Sequence, residues 1–309
     1  MQRRKFIQNM SALGAGLLCG GYPDESWAGT QTRQLSILHT NDVHSRLDPF
    51  PMDGSKYQGQ GGVLARERII RNIRAEKEHV LLLDAGDIFQ GTPYFNFYKG
   101  EPEMKVMSML GYDAATLGNH DFDNGIEGLV KQMTHADFPF VNCNYRFDGT
   151  ELENLVKPYT ILRKGGLKIG ILGVGIELKG LVPNNLCEGV LYEDPLMHAN
   201  RVAYHLKKNK KCDYVICLSH LGFEYKDGKI SDKILAAESE HIDCILGGHT
   251  HTFLEEPHKV KNRQNQAVIV NQAGWAGLRL GRIDIFFDNK NDSHYVSNFT
   301  VVETKQTRV

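Results

Sequence analysis

Val80-Leu81-Leu82-Leu83 is an unbroken apolar run that ends in Asp84-Ala85-Gly86-Asp87. A strand with one wet face alternates apolar and polar residues. A run that is apolar at every position needs both faces covered, as in a parallel sheet packed on both sides. The form recurs along the chain. Leu35-Ser36-Ile37-Leu38-His39-Thr40 ends in Asn41-Asp42-Val43-His44, and Asp113–Leu117 ends in Gly118-Asn119-His120-Asp121. Tyr214–Leu218 ends in Ser219-His220-Leu221-Gly222, and Ile242–Leu246 ends in Gly247-Gly248-His249-Thr250-His251. Buried strands with polar tips predict an α/β fold, and such sheets place ligand chemistry at the C-terminal edge of their strands.

Helix and strand signals fill the intervals. Gly61-Gly62 precedes a helix expected to reach about Glu78, with Val63, Ile70 and Ile73 on one face and Ile69 beside it. Its Arg66, Arg68, Arg71 and Arg74 read as a solvated face. Met104–Leu110 and Ile126–Thr134 read as helices and Phe138–Cys143 as a strand. Tyr159–Arg163 and Lys168–Val174 form a hairpin around Gly165-Gly166. Asp194-Pro195 opens a helix, with Asp at the cap and Pro at the first position; Leu196, Ala199, Ala203 and Leu206 line its apolar face. Ala267–Val270, Arg279–Phe287 and Tyr295–Val301 are strand-like, and no long helix follows, so this region extends sheets. Residues 48–60 read as a loop. Tyr94, Phe95, Phe97 and Tyr98 read as packing, with substrate stacking as the alternative.

The chain has 309 residues, 41% of them hydrophobic, enough for a sizeable core in one large domain. A formal charge of -1 excludes the basic excess of a nucleic-acid polymer binder. Arg3-Arg4-Lys5-Phe6-Ile7, followed by a short apolar and small-residue run from Met10 to Gly20, resembles a twin-arginine export signal. That run is too short to span a bilayer. Ser26 and Ala28 put small residues at the positions a signal peptidase reads. The expected division is a signal over residues 1–28 and one catalytic domain over 29–309, periplasmic or cell-envelope, with no transmembrane span in the mature chain. Leu18 is bulkier than lipidation sites allow, which argues against a lipid on Cys19. Cys143, Cys187, Cys212, Cys217 and Cys244 make an odd set after Ala28 with no C-x-x-C pair, which argues against a disulfide framework or a zinc knuckle.

The strand tips deliver Asp42, His44, Asp87, Asn119, His120, His220, His249 and His251. In Asp42-x-His44 and His249-x-His251 the paired residues lie two apart, and on an extended tip they point the same way. Mixed imidazole, carboxylate and amide ligands suit zinc, manganese or iron; calcium and magnesium prefer all-oxygen sites. So many ligands exceed one tetrahedral ion. They suit two divalent ions about 3.5–4 Å apart that share a carboxylate and a hydroxide and clamp a phosphoryl oxygen. A leaving alkoxide then needs a proton, which an unligated histidine is suited to give.

In this order the series D-x-H, G-D, G-N-H-D, S-H and G-H-T-H resembles the calcineurin-like metallophosphoesterase superfamily. Leu38–His44, Gly118–Asp123 and Gly247–His251 resemble its 5'-nucleotidase and UDP-sugar hydrolase branch, over about residues 35–290. The resemblance implies a four-layer αββα sandwich of two mixed sheets flanked by helices. It implies that Asp42, His44 and His251 hold one ion, that Asn119, His220 and His249 hold the other, and that Asp87 bridges them. His120 would face the leaving group, oriented by Asp123. The implied activity is that of an exported dinuclear-metal phosphoesterase acting on nucleotide 5'-phosphates or related small phosphate esters. Relatives with the same ligands cleave nucleotide-sugar diphosphates, cyclic nucleotides or, in sulfur-oxidation enzymes, a thiosulfonate. Full-length 5'-nucleotidases carry a C-terminal domain with the nucleoside-binding aromatics, and this sequence stops near where that domain would begin. The expectation is that a separate protein supplies it, or that small esters are taken unaided. A non-enzymatic metal-bound scaffold would have lost a ligand or His120, and every such position is filled.

Overall fold

Every residue of Val80–Asp84 is buried, and successive side chains enter different cores. Val80 and Leu82 pack with the helices on one side, while Leu81 and Leu83 pack against a second sheet on the other. Both faces are covered, which is why the run contains no polar break. The computed structural model describes residues 33–287 and 293–302. The twin-arginine stretch, Cys19 and the cleavage position after Ala28 lie outside the described residues.

In chain order the elements are β1 (Arg33–Thr40), α1 (Val63–Glu76), β2 (Val80–Asp84), α2 (Pro93–Tyr98), α3 (Glu101–Leu110), β3 (Ala114–Ala115), α4 (Gly125–Met133) and β4 (Phe140–Val141). Then come β5 (Tyr145–Arg146), β6 (Val156–Lys157), β7 (Tyr159–Lys164), β8 (Leu167–Gly175), β9 (Leu191–Tyr192), α5 (Pro195–Tyr204) and β10 (Tyr214–His220). The last are α6 (Asp232–Glu238), β11 (Cys244–Gly247), β12 (His258–Lys261), β13 (Ala267–Asn271), β14 (Arg279–Phe287) and β15 (Ser293–Val301).

Two mixed sheets carry the fold. The first has the order β15-β14-β1-β2-β3-β4-β6, and the second β12-β13-β11-β10-β8-β7. β1, β2, β3, β4 and β6 of the first sheet run parallel, with β14 antiparallel on β1 and β15 antiparallel on β14. In the second, β8, β10, β11 and β13 are parallel, and β7 and β12 cap the edges antiparallel. β5 and β9 form a separate ribbon.

Three cores separate four layers. Leu35, Ile37, Leu81 and Leu83 of the first sheet meet Ile169, Ile171, Ile216 and Leu246 of the second. The outer face of the first sheet packs on α1, α3 and α4 through Leu38, Leu82, Ile70, Met104 and Leu129. The outer face of the second packs on α5 and α6 through Val215, Cys217, Ile245, Ala199 and Leu235. This is the αββα sandwich that the motif series implied.

Several local expectations hold. β7 and β8 pair antiparallel across Gly165-Gly166, and the Asp194 side chain caps α5 by accepting from the Met197 amide. Others need correction. α1 stops at Glu76, not Glu78. Arg66 is not solvated: it is 2% exposed. A Cβ on Gly277 would fall 2.4 Å from an Arg66 guanidinium nitrogen, so the bare backbone there makes the room. Arg74 is also engaged, donating to the Leu110 and Gly111 carbonyls at 2.5 and 2.7 Å, where it satisfies the end of α3. Of the four aromatics after Pro93, only Phe95 is core, stacked on Phe89 at 5.6 Å; Phe97 and Tyr98 are 78% and 57% exposed.

Candidate metal centre

The parallel strands of both sheets deliver their tips to one place. Asp42 and His44 follow β1, Asp87 follows β2, Asn119 follows β3, His220 ends β10, and His249 and His251 follow β11. The D-x-H and H-x-H pairs do not converge for the reason the spacing suggests. Their backbone is not extended. Asp42, His44, Asp87, His249 and His251 have φ of 51°, 52°, 55°, 73° and 53°. Non-glycine residues reach this left-handed region at a cost of about 1 kcal/mol or more each. Such conformations persist when surrounding contacts over-determine them, and they cluster at functional sites.

The contacts that hold these loops are specific. The amide of His249 donates to both carboxylate oxygens of Asp42 at 3.0 Å, which ties the β11 loop to the β1 loop. Asn41 donates from Nδ2 to Asp42 Oδ2 and to the Gly274 carbonyl, both at 2.6 Å. Asp87 Oδ1 accepts the His120 amide at 2.8 Å. Gly118 is obligatory here, because a Cβ on it would fall 2.2 Å from that same oxygen.

Two groups of ligand atoms converge: Asp42 with His44 and His251, and Asp87 with His220 and His249. Asn119 joins the second, with Oδ1 2.9 Å from His249 Nδ1. Asp87 Oδ2 spans the two groups, 3.1 Å from His220 Nε2 and 3.8 Å from His44 Nε2. His44 Nε2 lies 3.1 Å from His251 Nε2, which is 3.4 Å from Asp42 Oδ1. Metal bonds of about 2.1 Å at right to tetrahedral angles set neighbouring ligand atoms about 3.0–3.4 Å apart. The close contacts within each group match that spacing. The backbone also leaves the right nitrogens free. His44 Nδ1 lies 3.1 Å from the Phe89 carbonyl and His220 Nδ1 2.7 Å from the Ala85 carbonyl. Both therefore donate outward and aim Nε2 inward. His220 Nε2 is fully buried and has no hydrogen bond of acceptable geometry, its 3.1 Å approach to Asp87 included. The residues fit two divalent ions.

Charge tells the same story. Burial opposes a charged His220, yet Asp87 and Asp42 hold its proton up to about 10. Burial likewise opposes a charged Asp87, but His220, His44 and His120 keep its carboxyl well below the usual range. His249 goes the other way, down to about 4, through burial and then the neighbouring His220.

His120 lies beside the two groups, in neither of them. It begins a 3-10 turn, His120–Phe122, and its Nδ1 is 2.8 Å from Asp123 Oδ2. Its ring meets that of His44 edge-on, with centroids 5.3 Å apart. The Asp123 hydrogen bond raises its pKa, partly offset by burial.

Sequence reasoning missed the supports. Asp121 is fully buried and accepts four backbone amides, from Gly118, Asp87, Ile88 and Phe89, at 2.8–3.2 Å. It thereby builds the loop that presents Asp87. Its place inside Gly118-Asn119-His120-Asp121 was the available signal. Asp232 accepts from Ser219 Oγ at 2.5 Å and Gln272 Nε2 at 2.8 Å, and Gln272 also donates to the Gly248 carbonyl. That network joins the β10, β11 and β13 tips, and no local pattern announces it.

The calcineurin-like phosphoesterase family matches residues 35–253. A snake venom 5'-nucleotidase from Gloydius brevicauda is 38% identical over 84% of this chain and 46% of its own length. The crystal structure of a 5'-nucleotidase precursor from Thermus thermophilus superposes with a TM-score of 0.77 at 32% identity, over 87% of this chain and 55% of that one. The Haemophilus influenzae NAD nucleotidase does so with a TM-score of 0.76 at 27% identity, over 88% and 57%. The chain thus spans about half the length of the relatives it matches. By its fold, by the placement of its polar strand tips and by these likenesses, the chain belongs to the calcineurin-like phosphoesterase family.

Proposed function

We propose that this chain is the catalytic domain of an exported dinuclear-metal phosphoesterase that hydrolyses nucleotide 5'-phosphates or related phosphate esters. One observation carries the reading: ligand atoms from both sheets converge in two adjacent groups bridged by Asp87, with a His–Asp pair beside them. Likeness to 5'-nucleotidases supports the substrate class.

In this reading Asp42, His44 and His251 hold one ion, Asn119, His220 and His249 the other, and Asp87 bridges. Bound there, two zinc, manganese or iron ions supply Lewis acidity toward a phosphoryl oxygen and a nucleophile near neutral pH. The protein's own share is positioning and proton delivery. Asp123 accepts from Nδ1 of His120, which leaves Nε2 to carry the proton for the departing oxygen. The hydrogen bond from the His120 backbone amide to Asp87 Oδ1 ties the bridging residue to the residue that bears the donor. Asp121 holds the Asp87 loop in place by accepting the Asp87 and Ile88 amides.

The test is hydrolysis of AMP, UDP-glucose and an aryl phosphate with added manganese or zinc, wild type beside Asp87→Ala. AMP hydrolysis abolished by Asp87→Ala supports the reading. Hydrolysis of the aryl ester alone moves the nucleoside-binding role to a separate protein, which a pull-down would recover. Loss of all three activities with metal bound counts against a phosphoesterase. The likeness to the NAD nucleotidase favours one second reading, cleavage of a nucleotide diphosphate bridge, and UDP-glucose reports on it. For export, the Arg3-Arg4 stretch and cleavage after Ala28 are the proposal, checked by the N-terminus of the mature protein. Among the described residues no helix is long and apolar enough to cross a membrane.

A further inference from the structure

His44 and His220 are oriented by backbone carbonyls on Nδ1. His251 is not. Its Nε2 faces His44 Nε2, and its Nδ1 has no hydrogen-bond partner among the described residues. Its side chain is also 40% exposed, against 10% for His44 and 0% for His220. An imidazole free to rotate about its side-chain bonds is a poor ligand, since each rotamer lost on binding costs free energy.

Apart from its fellow ligands His44, whose ring meets it edge-on at 5.1 Å, and Asp42, the residue that stacks on it is Trp275. The ring of Trp275 lies parallel to that of His251, 6° apart in plane with centroids at 5.7 Å. Trp275 is itself held from several sides. The amides on either side of it are tied down, Gly274 to the Thr252 carbonyl and Ala276 to the Asp42 carbonyl. The Ala273 amide donates to Asn41 Oδ1 at 2.8 Å. Phe50 and Tyr57, from the loop over residues 48–60, meet the indole edge-on at 5.9 and 6.4 Å. The Arg46 guanidinium covers Phe50 at 4.3 Å. The indole plane is thus fixed to the same backbone that carries Asp42, a ligand of the same group.

We propose that Trp275 is the positioning residue for His251, doing by ring stacking what backbone carbonyls do for His44 and His220, and so sets the affinity of the Asp42–His44–His251 site. Trp275 belongs to neither group of ligand atoms. The inference rests on the two-ion reading above. Loss of an orienting partner of a metal ligand costs about 10–100-fold in affinity, and the loss falls on one of the two sites.

The test is metal binding, not turnover. Chelator-stripped wild type, Trp275→Ala, Trp275→Phe, His251→Ala and the Trp275→Ala/His251→Ala double variant are titrated with Mn2+ by calorimetry, and the melting temperature of each stripped protein is recorded. Wild type takes up two ions. Trp275→Ala weakens one by about tenfold or more and leaves the other unchanged. Trp275→Phe, which keeps a flat ring in place, recovers most of that loss. In the His251→Ala background the Trp275 substitution adds nothing, the signature of action through that one side chain. Wild-type binding by Trp275→Ala overturns the positioning role. So does equal weakening of both ions with a lowered melting temperature, which marks a purely structural residue. Fewer than two ions on the wild type sinks the two-ion reading, and this inference with it.

Discussion

Nε2 of His44 and Nε2 of His251 face each other across 3.1 Å, with Asp42 Oδ1 3.4 Å from the latter. Two ring nitrogens and a carboxylate aimed at one point repel unless a cation or a proton lies between them. Divalent ions that bind only the folded chain therefore stabilise it by mass action, about 4 kcal/mol for a site filled at a thousand times its Kd. Stripping with a chelator should lower Tm by at least about 5 °C, and manganese or zinc should restore it. A Tm indifferent to both treatments would show that the cluster binds no ion tightly.

His120 should matter in proportion to the leaving group. His120→Ala is expected to lower kcat on AMP by about 100-fold or more, because a ribose alkoxide needs a proton. On p-nitrophenyl phosphate, whose leaving group departs without one, the loss should be far smaller. Asp123→Ala, which removes the 2.8 Å partner of Nδ1, should show the same asymmetry to a lesser degree. Equal losses on both substrates would remove His120 from the proton-donor role.

Asp121 should be a stability residue with consequences for the centre. Its four backbone donors leave no room for a side-chain N–H. Asp121→Asn sets a donor against donors in a fully buried place and should cost about 3 kcal/mol in urea denaturation. The Asp87 loop would loosen with it, so metal stoichiometry should fall as well. A cost below about 1 kcal/mol would mean that the loop is held elsewhere.

His39 provides a pH dependence away from the ligands. Burial alone pushes its imidazole down to about 4, and Nε2 accepts from Asn271 at 2.9 Å. The folded pKa lies below the unfolded value of about 6.5, so the unfolded chain binds the proton first as pH falls. The stabilisation is complete above that value and drains away toward pH 4. Between pH 7.5 and 5.5 the wild type should lose about 1.3 kcal/mol relative to His39→Gln. A constant difference between the two proteins across that range would show that His39 already titrates normally in the fold.

Local patterns carried the strands well where both faces are covered. β2 and β10 contain the unbroken apolar runs Val80–Leu83 and Tyr214–Leu218, because an uninterrupted run has few alternatives in water, whereas β11 begins only after Asp243. They carried the short central strands less well. Asp113–Leu117 is buried almost throughout, yet only Ala114–Ala115 pair as a strand before the chain turns into the loop that bears Asn119. The arginines of α1 show the same limit. Helical period alone places Arg66 among solvated positions, and only the glycine backbone at 277 explains why a guanidinium is buried there.

The sequence by itself determined the α/β class, the order of polar strand tips and the residues they bear, since these depend on residue type and spacing over a few positions. The tertiary structure decided how those residues meet. The paired ligands converge through left-handed loops and not extended tips. Asp121 and Asp232 brace those loops across tens of residues, and Trp275 restrains His251 from a segment that no motif marks. Such relations come from chain segments distant in sequence packing into one place. They depend on which strands pair and which loops dock, and a local pattern of residues contains neither.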